Sequence, residues 1–298
     1  MRKIIPFMLV LIMMAVPVTF TATALACDGD VSFRVDLGGG VQTMAATDSE
    51  LLSMKAYLER QYNSTLSGSL AVSENMGYLF ALKGIQYAIE KTPYGSGEGK
   101  VDCSKLTYTA LKNSYTQKGL SSYYIFGSSK KASQAQYNIC KQNGLTGAIT
   151  SEKNAGILKT GDLLFWRVPG TNESDVNHVG IYLRYNSENY IIETGRSTGH
   201  AYVSEGFWGV SELQNPNYEM FAYARVNKAN IATFKTGSPF NESLGTQRVL
   251  FNCPPSPPTP PTHTNYVFTG WSPSVTAGMT ANTTYIANYY QRIDKSLK

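Results

Sequence analysis

The feature that most constrains this chain is a change of apolar period near residue 160. Before it, apolar residues recur at helical spacing over long stretches; after it they come in short runs of strand length. Residues 48 to about 62 place Leu51, Leu52, Met54 and Leu58 near helical spacing, with capping groups in Thr47-Asp48-Ser49-Glu50. Residues 73–91 set Met76, Leu79, Phe80, Leu82, Ile85, Tyr87 and Ile89 on a broad apolar face, and Pro93 cannot continue that helix. A third helix, carrying Leu106, Ala110 and Leu111, is expected to follow Cys103 and to end near Gly119. Then residues 162–167, 178–184, 190–194 and 220–226 read as strands separated by turn residues. Helices first and an antiparallel sheet afterwards is an α+β order.

The two ends of the chain have a different character. Arg2 and Lys3 precede an apolar run from Ile4 to about Phe20, and Ala24-Leu25-Ala26 offers a small-residue cut. That order marks residues 1–26 as a secretory signal peptide, so a secreted, extracellular or wall-associated protein is expected. Cys27 follows the cut directly, and lipidation there is the alternative that would bring in a membrane. Residues 27–73 read as a lead-in with one helix, loosely structured around Gly38-Gly39-Gly40. At the other end, Pro254-Pro255-Ser256-Pro257-Pro258 and the prolines after it form a stiff extended connection inside a β-rich module over 228–292, with 293–298 as a tail.

Charge excludes one class of partner. The chain holds 26 basic and 21 acidic residues, net +5, and losing Arg2 and Lys3 lowers the excess further. So small an excess does not point to nucleic acid. The four cysteines show no metal-ligand spacing, and no metal or organic cofactor is called for. A Cys140–Cys253 bridge and a free buried Cys140 fit the sequence equally.

Two residues carry the chemistry. Cysteine is a nucleophile only as thiolate. Cys103 follows the glycine-rich turn 95–99 and opens a predicted helix, whose unpaired N–H groups and positive dipole end favour the thiolate. A buried structural cysteine is the competing reading of this position. His178 decides between them: it heads the apolar strand His178-Val179-Gly180-Ile181-Tyr182-Leu183 and is one of only three histidines. A cysteine at a helix start and a histidine on a facing strand make a nucleophile and its base. Glu193 ends the next strand, and in a hairpin it would lie beside His178 and orient the ring; His200 is the competing orienter. Asp102 is placed to cap the helix. Asp162 reads as a turn residue, His263 as surface structure, and Phe207 and Trp208 as core aromatics.

Thr92-Pro93-Tyr94, the glycine turn, Asp102-Cys103-Ser104, Gly161-Asp162-Leu163-Leu164-Phe165 and His178-Val179-Gly180-Ile181-Tyr182 together resemble the NlpC-type cell-wall peptidases over about 74–227. The resemblance implies a papain-like α+β domain that cleaves peptidoglycan stem peptides, usually between γ-D-glutamate and meso-diaminopimelate or lysine. It implies Cys103 as nucleophile and His178 as base, with Tyr94, Asp102 and Ser104 at the substrate or oxyanion. Two positions depart from the family pattern: Lys105 stands where glycine is usual, and Glu193 where the third polar residue is most often histidine. Residues 123–142 read as a substrate-facing insertion. The rival readings are an N-acetylmuramoyl-L-alanine amidase and a catalytically inactive wall-binding or adhesion protein. In the C-terminal module, Tyr266-Val267-Phe268-Thr269-Gly270-Trp271 and Thr284-Tyr285-Ile286-Ala287-Asn288-Tyr289 resemble the internalin-type B repeat. That implies a small β-grasp-like repeat, either a spacer or a holder of a wall or surface partner.

Overall fold

The computed structural model describes residues 33–36, 42–64, 72–149, 156–196, 198–206 and 217–292. The signal peptide, Cys27, Phe207, Trp208 and the tail after Arg292 lie outside the described residues.

Four helices precede most of the sheet. α1 (Asp48–Ser64) starts with a reciprocal cap: Glu50 N–H donates to Thr47 Oγ1 at 3.2 Å, and Thr47 N–H donates to Glu50 Oε2 at 2.8 Å. It buries Leu51, Met54 and Leu58, which share one face. α2 (Val72–Ile89) lies against the sheet through glycines. A Cβ on Gly84 would come within 2.6 Å of Ile181 Cδ1, and one on Gly77 within 2.3 Å of the Thr160 carbonyl. α3 (Cys103–Gln117) ends where Gly119 turns to φ +70°, a conformation that favours glycine. α4 (Ser133–Gln142) is not foreseen by the sequence reading, which took this stretch only as an insertion.

Eight strands form the larger sheet: β1 (Phe33–Asp36), β2 (Gln42–Ala45), β3 (Thr146–Ala148), β4 (Leu163–Arg167), β5 (Val176–Tyr185), β6 (Glu188–Thr194), β7 (Ala201–Glu205) and β8 (Glu219–Ala224). Their order is β1-β2-β7-β6-β5-β4-β8-β3, with every neighbouring pair antiparallel. The N-terminal section, expected to be loose, therefore contributes a hairpin, and Ala46 N–H extends it onto the Val203 carbonyl. Both faces of the sheet are apolar, which gives the central strands near-continuous apolar runs. Leu163, Phe165, Val179, Ile181, Ile192 and Val203 share the core of the helices. Leu164, Trp166, Tyr182, Ile191, Tyr202 and Met220 form a second cluster on the opposite face.

The remaining strands, β9 (Ala229–Thr236), β10 (Ser243–Leu250), β11 (Tyr266–Ser272) and β12 (Thr283–Gln291), make a separate four-stranded sheet in the order β10-β9-β12-β11. Its central pair is parallel and its outer pairs are antiparallel. Phe234, Val249, Leu250, Phe251 and Tyr285 run into the same apolar core as Leu111 and Tyr115 of α3. Trp271 packs edge-on against Phe234 at 5.3 Å. His263, expected at the surface, is instead stacked on Phe240 with only 14 % of its side chain exposed. Cys140 and Cys253 are both buried free thiols.

Candidate active site

The tight segment before α3 sets the thiol in place. Val101 N–H donates to the Pro93 carbonyl, Gly95 N–H to the Val101 carbonyl, and Tyr94 N–H to the Gly199 carbonyl. The glycine-rich turn is thereby folded back against the loop after β6. Asp102, still extended, is the N-cap, and its Oδ1 accepts from Lys105 N–H at 2.8 Å and Ser104 Oγ at 2.7 Å. Lys130 pairs with the other carboxylate oxygen. Cys103 is thus the first residue of α3, partly exposed, at the end where unpaired N–H groups favour an anion. Lys105 turns outward and donates from Nζ to the Gly97 carbonyl at 2.9 Å.

The imidazole comes from the sheet. A bulge in β5 lets Trp166 face His178 while Arg167 faces Val176, leaving Asn177 as the extra, exposed residue. Such bulges re-aim a side chain. His178 is only 9 % exposed, on the same face as Trp166, and the two rings meet edge-on with centroids 5.1 Å apart. Tyr218 stands on the ring's other flank at 6.2 Å. Gly180 permits close packing on this face: a Cβ there would lie 2.6 Å from Ile191 Cγ2 and 3.6 Å from Trp166 Cη2.

The hairpin of β5 and β6 brings Glu193 alongside. His178 Nε2 donates to Glu193 Oε2 at 2.7 Å, and Glu193 Oε1 accepts from Ser204 Oγ of β7. Glu193 is fully buried, so it is the charge state of its neighbours that its carboxylate governs. It is Glu193 that stands at the ring; the competing His200 bonds through Nδ1 to the Ala201 carbonyl at 2.7 Å.

These placements set the protonation states. Burial alone would raise the Cys103 thiol, but His178, Ser133 and the Val179 N–H outweigh it and hold the thiol below its ordinary range. Burial would likewise lower His178, yet the facing Cys103 and the Glu193 carboxylate push it up to about 10. Both shifts favour thiolate and imidazolium over thiol and neutral ring, with the carboxylate behind the ring. Burial and the Glu193 charge keep the Tyr202 hydroxyl protonated.

Other sequence candidates find other places. Asp102 and Ser104 are engaged in the helix cap. Tyr94 is half-exposed near the site, where Arg196 Nε donates to its hydroxyl at 3.4 Å. Asp162 is fully buried and forked by Arg225, whose Nε and Nη2 donate to its two oxygens at 3.0 and 2.8 Å. Trp166, Ser204 and Ser133 were not singled out from sequence. The first two could have been found by extending the strand alternation that placed Glu193. Among the described residues, no group of three or more His, Cys, Asp and Glu is arranged to hold a metal ion.

A thiol, an imidazole and a carboxylate in succession on an α+β scaffold can serve as the nucleophile, base and orienting group of a cysteine hydrolase. Residues 91–216, less than half of the chain, match the model of the NlpC/P60 family, and that match supports an enzyme of the cysteine-peptidase class. No curated protein matches the chain. Among solved structures, an N-acetylmuramoyl-L-alanine amidase from Bacteroides uniformis is similar at 15 % identity and TM-score 0.36, over 50 % of this chain and 98 % of that one.

Proposed function

We propose that the protein is an exported endopeptidase that cuts peptidoglycan stem peptides at the γ-D-glutamyl bond to diaminopimelate or lysine. Cys103 is the nucleophile, His178 the acid and base, and Glu193 the residue that orients the ring. The observation that carries this reading is the line from Cys103 through His178 to Glu193, closed by the 2.7 Å bond at Nε2.

With Nε2 on the carboxylate, proton exchange with the sulfur side falls to Nδ1. The thiolate adds to the scissile carbonyl carbon, and the oxyanion that forms faces the N–H groups at the start of α3, with the Tyr94 hydroxyl near. The imidazolium then gives its proton to the leaving amine as the C–N bond breaks, leaving a thioester on Cys103. A water molecule, deprotonated by the now neutral ring, attacks the thioester. Collapse releases the carboxylate product and returns thiolate and imidazolium. The Glu193 carboxylate orients the ring and stabilises it whenever the ring is charged.

Export through residues 1–26 and a wall or surface partner for the C-terminal module belong to the same reading. The B-repeat-like, β-grasp-like character of that module draws support from its mixed sheet, in which β9 and β12 are parallel at the centre. The test is digestion of purified peptidoglycan by the mature protein and by Cys103→Ala, with fragments identified by mass spectrometry. Fragments ending in γ-D-glutamate, absent with the variant, are expected. Release of whole stem peptides from the glycan would show an amidase instead, and no products from either protein would favour a non-catalytic wall binder.

A further inference from the structure

We infer that Ser133 is a hydrogen-bond donor to the reactive sulfur, and that α4 is the bracket that fixes the nucleophile against its base. This rests on the reading of Cys103 as nucleophile. Ser133 is the first residue of α4, is 6 % exposed, and places Oγ 3.6 Å from Cys103 Sγ. It is held there from two sides. Toward the nucleophile, the fully buried Gln136 donates from Nε2 to the Ser104 carbonyl at 2.8 Å and to the Lys131 carbonyl at 2.9 Å. Its Oε1 accepts from Thr107 Oγ1 at 2.9 Å, so one amide joins the first turns of α3 and α4. Toward the base, Gln134 Oε1 accepts from Val176 N–H at 2.7 Å, and its Nε2 donates to the Glu173 carbonyl at 2.9 Å. Those two residues lead into the bulge that aims His178.

Two helix starts therefore converge on one sulfur, and the hydroxyl is directed at it by bonds that span both partners of the catalytic pair. Around the sulfur, His178 faces it from β5 with Glu193 behind the ring, and Tyr202 of β7 and Tyr218 before β8 feel its charge. Asp102 and Lys130 pair with each other beside it. Ser133 adds a neutral donor to this set. No covalent change is involved: the hydroxyl keeps its proton, donates to the thiolate in the resting enzyme, and loses that acceptor when the sulfur becomes a thioester. Such a donor enlarges the thiolate fraction at low pH and makes the sulfur somewhat less nucleophilic once ionised.

The experiment is alkylation of Cys103 by iodoacetamide across pH, read on its own peptide by mass spectrometry, in the native protein, Ser133→Ala and Ser133→Thr. For Ser133→Ala the inflection is expected to rise by about one pH unit, a tenfold change in the ionisation constant. Because nucleophilicity rises with thiol pKa by about half a decade per unit, the rate should fall about threefold at low pH and rise about threefold on the plateau. That crossing of the two profiles is a signature that mere loosening of the fold does not produce. Ser133→Thr, which keeps the hydroxyl, should retain the native inflection, and thermal unfolding of all three checks that the comparison is between folded proteins. An unmoved inflection in Ser133→Ala, or an equal shift in Ser133→Thr, would overturn the inference and leave Ser133 as a packing or substrate residue. If Cys103 of the native protein reacts like an ordinary thiol with an inflection near 8.5, the underlying assignment of the nucleophile fails first.

Discussion

Two fully buried carboxylates flank β4 of the same sheet, and their partners differ in kind. Asp162, just before β4, is forked by Arg225 and also accepts from Lys159 N–H at 2.9 Å. Glu193, beside the His178 ring that packs on Trp166 at the other end of β4, has a histidine and a serine. Arginine is permanently charged and geometrically fixed, so Asp162 faces a partner that does not change state, and the pair ties the corner between β4 and β8. Histidine can gain and lose its proton, so Glu193 is coupled to a group that changes state in each turnover of the proposed mechanism. A buried carboxylate is thus not by itself a sign of chemistry. What it faces decides whether it braces the fold or serves a reaction.

The largest expected effect tests the Glu193 half of that contrast. Glu193→Gln keeps the shape and an acceptor for Ser204 but removes the charge that favours the imidazolium and the acceptor that fixes its tautomer. Turnover on stem peptide should fall by about a thousandfold, by analogy with loss of the carboxylate in other nucleophile–histidine–acid sites. Stability measured by urea unfolding should change by no more than about 1 kcal/mol. Full activity in the variant would break the contrast, because Glu193 would then be no more than another buried brace.

Asp162→Asn should invert the pattern. It leaves the Arg225 guanidinium half-buried without its counter-charge, and the loss of one member of such a pair costs about 3 kcal/mol. Arg225 keeps 26 % of its side chain exposed, which holds the cost near the low end. Activity per folded molecule should stay within about twofold. Replacing both partners by apolar residues, as in Asp162→Leu with Arg225→Met, should recover much of the stability, since buried pairs give little net gain over well-packed apolar side chains. A loss of turnover as large as that of Glu193→Gln would mean that the corner also positions the site.

The same contrast explains what the sequence made visible. Glu193 follows from period-2 alternation: once His178 heads one strand and the next strand returns from the Asn186-Ser187 turn, the register that pairs Ile181 with Ile192 brings Glu193 near the ring. Cys103 follows from Pro93, the glycine turn and the Asp102 cap, all local signals. α4 and Ser133 do not follow. Ala132 gives α4 no side-chain cap, and its buried face is built from Ser133, Gln136, Tyr137 and Cys140, only two of which are apolar. It is held by polar bonds to α3 and to the start of β5 and by Tyr137 packed on Phe165 and Phe221, contacts that no local pattern encodes. The β1–β2 hairpin was hidden for a related reason: it adds to the edge of β7, more than 150 residues away in sequence.

Acid separates the Asp162 corner from the Asp102 cap, and this gives the smallest expected effect. Burial raises the Asp102 carboxyl, but Lys130, the Ser104 hydroxyl and the Lys105 N–H outweigh it and hold it below the usual range. A carboxyl depressed in the fold stabilises above its unfolded value of about 3.9, and that contribution is lost as pH falls through the folded value. Asp162 runs the other way. Burial raises it, Arg225 offsets that only in part, and its contribution is present below the unfolded value and lost as pH rises through the folded one. Acid should therefore loosen the start of α3 while sparing the β4–β8 corner. Asp102→Asn isolates the charge, because asparagine caps a helix about as well as aspartate. Lys130 is more than a third exposed, so solvent screens the pair and the expected loss near pH 6 is only about 0.5 kcal/mol. In urea unfolding that difference should shrink toward zero near pH 2, and also at pH 6 in high salt. A difference that persists unchanged at both pH values would place the contribution in the cap's hydrogen bonds instead of its charge, and the thiolate would then owe its setting to the helix start and Ser133 more than to the Asp102–Lys130 pair.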